Sequence, residues 1–150
     1  MLNPRSMMAI MAVTFLGWVA FPAHAEQSSS FGDYVIHYNA FTTDFLSPQV
    51  AKSYDIPRSK NRALLNVSVL KSVMGTPSQA VKAIIRATAT NLNGQLRTLE
   101  FREVTEGNAI YYLSTFPVAN EEIMDFALEV TPEGKDAPYI VKFRKHFFTG

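Results

Sequence analysis

The chain has 150 residues, one domain's worth, with 14 Lys and Arg against 13 Asp and Glu and no cysteine. The missing cysteine excludes a disulfide frame, thiolate metal sites and lipid attachment at an N-terminal Cys. A net charge of +1 supplies no strong positive field, which argues against non-specific nucleic-acid binding.

The N-terminus reads as a secretory signal. Arg5 gives a positive start, Met7 to Phe21 is apolar and uncharged, Pro22 breaks the run, and Ala23-His24-Ala25 offers small residues where a signal peptidase needs them. The apolar run is shorter than the about 20 residues that span a bilayer, so the reading is a peptide cleaved between Ala25 and Glu26 rather than an anchor. Its removal takes away Arg5 and no acid, leaving 13 bases against 13 acids in residues 26–150. No second apolar run is long enough to span a membrane.

Residues 26–30 (EQSSS) form a polar leader, expected to be flexible, and residues 31–150 the single domain. From Phe31 to Phe41, Tyr34, Ile36, Tyr38 and Ala40 alternate with Asp33, Val35, His37 and Asn39, the period of a strand with one buried face. Ser47-Pro48 reads as an N-cap followed by Pro at N1, opening a short helix over 49–54 that ends before Pro57. A second strand runs from Ala63 to Lys71, with Leu65, Val67 and Val69 on one face, before a turn at Gly75-Thr76-Pro77.

Ala80 to Leu92 fits both periods: Ala80, Val81, Ile84 and Ile85 suit a helix, whereas Ala83, Ile85, Ala87 and Ala89 suit a strand. Thr88 and Thr90 tip the reading to strand. Asn93-Gly94 predicts a type I′ hairpin, with Gln95 to Thr105 returning as one partner strand. Ala109 to Phe116 is a fifth strand. Ile123 to Thr131 is a sixth, with Met124, Phe126, Leu128 and Val130 inward. After the turn at Pro132 to Lys135, Pro138 to Phe148 is the seventh, with Tyr139, Val141, Phe143 and Phe147 inward. Seven short strands and almost no helix predict an all-β domain, an immunoglobulin-like antiparallel β-sandwich, with a small barrel as the alternative.

The blocks FGDYVIHYNAF, FLSPQVAKSYDIPRSKNRALLNVSVLK and ATATNLNGQ resemble a bacterial family of exported proteins known as domain of unknown function 4426, over Phe31 to the C-terminus. The most specific block is Phe45 to Lys71. The resemblance implies a periplasmic setting in a Gram-negative bacterium and a β-sandwich. It implies no chemistry, cofactor or catalytic residue.

Standard catalytic and nucleotide-binding signatures are missing, and no cofactor motif is present. His37 and His146, in the first and last predicted strands, form a weak metal candidate with Asp33, against the plainer reading of two separate outward-facing side chains. Arg58, Lys60, Asn61 and Arg62 form the densest basic cluster, in a loop between Pro57 and a strand. Arginine presents a planar fork suited to carboxylate or phosphate, so the loop, with Asp33 and His37 near it in sequence, is the candidate surface for an anionic ligand or envelope partner. A solvated turn, or an arginine tying loop to core, is the plainer reading. Asp33, Tyr34, His37, Tyr38 and Tyr54 make a polar-aromatic set whose tyrosines suit half-buried walls, and Glu121, Glu122 and Asp125 suit a solvated edge better than an acid–base pair. The favoured function is a periplasmic, non-catalytic binding or accessory module. The alternative is a hydrolase-like enzyme using His37 with Asp33 and a nearby Ser or Tyr.

Trp18, the only tryptophan, lies in the proposed signal. Protein isolated from the cell envelope should therefore have the intact mass of residues 26–150 and tyrosine-only fluorescence. Retention of residues 1–25 in that mass would refute cleavage.

Overall fold

The computed structural model describes residues 26–150, so the signal-peptide reading falls outside the described residues. Among the described residues, ten strands pair antiparallel into two sheets. The larger sheet holds β1 (Gln27–Phe31), β2 (Tyr34–Thr42), β3 (Arg62–Lys71), β8 (Ala109–Pro117) and β7 (Arg102–Glu106) in that order, with β4 (Gln79–Ala80) also on β3. The smaller runs β10 (Tyr139–Phe147), β9 (Glu122–Pro132), β5 (Ala83–Asn91) and β6 (Leu96–Leu99). A 3-10 turn (Thr43–Phe45) and one helix, α1 (Pro48–Ser53), join β2 to β3. The two open sheets decide for a sandwich over a closed barrel. No helix among the described residues is long and apolar enough to cross a membrane.

Ten strands replace the expected seven for identifiable reasons. Most of the leader is a strand: Gln27 to Phe31 pairs with Tyr34 to Tyr38 as β1. Gly32-Asp33 is the two-residue loop of that hairpin, with Gly32 at φ 59°, the glycine-first pattern of a type II′ turn. Polar serines hid β1, because an edge strand needs backbone pairing more than apolar side chains. The expected single strand from Gln95 to Thr105 is divided. β6 ends at Leu99, the chain crosses at Glu100-Phe101, and β7 pairs with β8 in the other sheet.

The Asn93-Gly94 hairpin forms, but not as type I′. Of its turn residues only Gly94 has positive φ, 79°. Gly94 N–H donates to Asn91 O at 3.0 Å, and the Asn91 side-chain oxygen accepts from Asn93 N and Gln95 N at 3.1 and 3.0 Å. This is a three-residue loop fixed by an Asx turn, which needs one left-handed residue rather than two.

The period-two faces hold. Tyr34, Ile36, Tyr38 and Ala40 are buried against Met124, Phe126, Leu128 and Val130 in one core. β10 seals it with Val141 and Phe147, while Tyr139 and Phe143 are partly buried. Aromatic rings bridge the sheets: Tyr38 packs on Phe143 at 4.7 Å, and Phe126, stacked on Phe143 at 4.6 Å, also meets Phe116 at 5.7 Å. Phe126 is 2% exposed. Phe126→Ala should cost about 3–5 kcal/mol of stability in denaturant unfolding. A loss below about 1 kcal/mol would contradict this placement.

Candidate functional site

The segment from Thr43 to Asn61 lies over the outer face of the larger sheet. Local chemistry fixes it at several points. The Ser47 side chain caps α1 by accepting from Val50 N at 3.2 Å, with Pro48 at the first helical position. The helix ends in a Schellman motif: Ile56 N–H reaches Ala51 O at 2.8 Å and Asp55 N–H reaches Lys52 O at 3.2 Å. Asp55 takes φ 53° there, a left-handed position usually given to glycine. Buried Thr43 then holds the following loop. Its hydroxyl donates to Pro57 O at 2.8 Å and accepts from Ser59 N at 2.9 Å.

Beneath this segment is a second apolar cluster around buried Ile56, Leu64 and Leu113. It encloses a hollow of about 230 Å³ walled by Phe41, Leu46, Leu64, Tyr111 and Leu113, with Asn66 in its lining. The Asn66 Oδ1 atom is buried and has no hydrogen-bond partner. At the rim the Tyr54 hydroxyl donates to the Glu106 carboxylate, and Arg102 Nη2 donates to Tyr54 O.

A larger hollow of about 560 Å³ lies between the β5–β6 hairpin and the β8–β9 loop, but its polar groups serve the fold. Arg97 donates to Pro117 O, and Glu122 accepts from Ala119 N at 2.7 Å and Asn91 Nδ2 at 3.2 Å. We therefore place the candidate site at the apolar hollow, where a polar atom is left over.

The basic loop is mostly structural at its ends. Arg58 Nη2 donates to Asp44 O at 2.8 Å, and Arg62 Nη2 donates to Thr115 Oγ1 at 3.3 Å. Asn61 O accepts from Val118 N at 2.9 Å, while Lys60 stands exposed. Arg62 is the first residue of β3 rather than a loop residue.

The other candidates do not converge. His37 and His146 point away from the core on the outer faces of different sheets, even though β10 packs across from β2 through Tyr38 and Phe143. Asp33 at the hairpin tip is four residues from His37, roughly 13 Å along a strand. The carboxylate beside His37 is instead Glu26, at 3.5 Å from Nδ1, and His146 stacks on Phe148 at 4.0 Å. No group of three His, Asp or Glu able to hold a metal occurs among the described residues. Asp125 is taken by Arg144 through two bonds of 2.7 and 2.8 Å, which lower its pKa, so it forms no acid–base pair with Glu122. The residues that sequence reasoning missed are Asn66 and Glu106. Asn66 is a polar residue in an apolar strand, which was the available signal.

A family model described as a domain of unknown function (DUF4426) matches residues 28–150. The crystal structure of a DUF4426 family protein from Pseudomonas aeruginosa is similar at 36% identity, with TM-score 0.69, over 82% of this chain and 94% of that one. FetP of uropathogenic Escherichia coli, recombinantly expressed in the periplasm of E. coli, is similar at 10% identity, with TM-score 0.58, over 82% of this chain and 93% of that one. A copper-bound variant of FetP has the same identity and TM-score over 82% and 95%. At that identity the likeness shows the fold alone. No curated protein matches.

The surroundings of Tyr54 and Tyr112 raise their pKa values. The hydrogen bond to Glu106 raises the Tyr54 pKa. Burial raises that of Tyr112, whose hydroxyl accepts from Ala83 N at 2.8 Å and so links the sheets. A raised folded-state value means that Tyr112 contributes stability below its unfolded pKa near 10, and that this is lost as pH rises through the folded value. In an alkaline absorbance titration, Tyr54 and Tyr112 should ionise above the ordinary tyrosine value. Glu106→Gln should bring Tyr54 back toward its ordinary value; an unmoved Tyr54 would rule out the Glu106 contact.

Proposed function

The chain belongs to the DUF4426 family, and from that premise we propose that it is a periplasmic, non-catalytic binding or accessory module that engages an envelope partner through the Thr43–Asn61 corner. One observation carries this reading. The corner is a hydrogen-bonded platform over an open apolar hollow, and His37 and Asp125 elsewhere face single charged partners, Glu26 and Arg144. A loop pre-ordered by Thr43 and the Schellman end loses little entropy on contact, which favours recognition. Catalysis needs a convergent base, nucleophile or metal. His37, with Glu26 as its neighbour on an outer face, supplies none of that convergence and does not line the apolar hollow.

The copper bound by the FetP variant does not transfer to this chain. Copper sites need several imidazole, thiolate or thioether donors within reach of one point. Here His37 and His146 face opposite ways, Met124 lies in the core and Met74 is fully exposed in the β3–β4 loop.

The exposed cations of the loop form the polar side of the surface. Lys60→Ala should leave the melting temperature unchanged and weaken capture of the partner in a crosslinking pull-down from periplasm. Arg58→Ala should lower the melting temperature by a few degrees, because it removes the tie to Asp44 O, a bond worth about 1 kcal/mol. Arg62→Ala should do the same more weakly through Thr115. Unchanged capture by all three variants would eliminate the loop as the site.

A further inference from the structure

We propose that the hollow over β3 and β8 receives the side chain of a tyrosine, next to an acidic residue, presented by the protein partner; this deepens the binding-module reading and rests on it. Four observations lead there.

The first is size. About 230 Å³ is less than the roughly 300–1,000 Å³ of sites that enclose a drug-sized ligand, and suits one anchoring group.

The second is chemistry. Phe41, Leu46, Leu64, Tyr111 and Leu113 offer a largely apolar wall, and Asn66, whose buried Oδ1 has no hydrogen-bond partner, adds a carboxamide to the lining. Its last torsion is of the broad, roughly two-fold kind, so a modest rotation exchanges which amide atom faces the hollow. The amide then both accepts and donates, which matches a phenol: an apolar ring with a hydroxyl that does both. A buried polar group left alone is costly, so filling the hollow with a purely apolar group would gain less.

The third is continuity. Phe41 also lines a second hollow of about 190 Å³ that holds Lys145, His146 and Phe148. Val50 beside the first hollow is 39% exposed and Phe148 beside the second is 61% exposed. Adjacent concavities with exposed apolar rims are how protein interfaces take anchor residues, whereas a small-molecule site encloses its ligand.

The fourth is charge. The second hollow is lined by Lys145 and His146 and by no acid, which places the acidic neighbour on that side.

The test uses the protein of residues 26–150 and two-dimensional amide NMR. The probes are p-cresol, toluene, and acetylated, amidated Glu-Tyr-Gly and Gly-Tyr-Glu peptides with their lysine counterparts. The expected result is that p-cresol shifts Leu64, Asn66 and Leu113 and binds about fivefold tighter than toluene, the factor one hydrogen bond supplies. Asn66→Leu, of similar volume, should remove that preference and keep toluene binding. Val50→Trp, at an exposed helix position, should weaken every probe without altering the fold. At least one acidic peptide should bind at the same resonances, tighter than its lysine counterpart.

Equal binding of p-cresol and toluene to wild type would overturn the role of Asn66. Binding of p-cresol without either peptide would assign a free phenolic molecule and overturn the protein partner. Lysine peptides as tight as the acidic ones would overturn the charge assignment. No shift from any probe would overturn the pocket. That last result is distinct from failure of the binding-module reading, which is decided by periplasmic capture with the wild type and the Arg58→Ala, Lys60→Ala and Arg62→Ala variants.

Discussion

The fold depends on the apolar and aromatic core packed between two sheets that no disulfide joins. With no cysteine in the chain, the sheets are held by what they bury between them. Phe126 is central to this. It is stacked on Phe143 within its own sheet and meets Phe116 from the other, while Phe147 closes the edge at 6.4 Å. Removing water from one such side chain is worth about 1.5–3 kcal/mol, and paired rings add to that through geometry. Tyr112 adds a polar tie, since its hydroxyl meets the Ala83 amide of the opposite sheet.

That constraint decides where function can reside. Period-two alternation turns one face of each strand into the core and sends the polar set to the outside. His37 and His146 follow their strands outward on opposite sides, so the packing that joins β2 to β10 also keeps the two imidazoles apart. A site must be built by something laid over an outer face. The Thr43–Asn61 segment is that addition, and its apolar residues, above all Ile56, Leu46 and Tyr54, form a second small core with Leu64 and Leu113. The outer face of the sheet at β3 is therefore unusually apolar, and Asn66 is a polar residue stranded within it.

The same corner explains the mixed character of the basic loop. A Schellman end in which Asp55 accepts a left-handed conformation and a buried threonine hydroxyl that grips two peptide groups both serve to order the chain. Arg58 joins that network through a backbone carbonyl. Lys60 stands exposed beside it, so structural and recognition roles are divided within five residues.

Sequence alone determined the all-β class, the inward faces of β2, β3, β9 and β10, the capped helix at Ser47-Pro48 and the family resemblance. These depend on near neighbours: a two-residue period, a cap and a proline act over a few positions, and burial follows parity. Tertiary structure alone decided the rest. β1 exists because β2 offers an edge to its serines, and the strand after the Asn93-Gly94 hairpin divides because its second half pairs with β8 instead of β5. The Asx turn by which Asn91 holds that hairpin depends on side-chain bonds that its composition does not specify. The hollow, and Asn66 within it, arise where α1, β3 and β8 meet across some sixty positions of sequence. Such juxtapositions leave no periodic trace, because long-range pairing is chosen by the packing of the whole chain and not by any one segment of it.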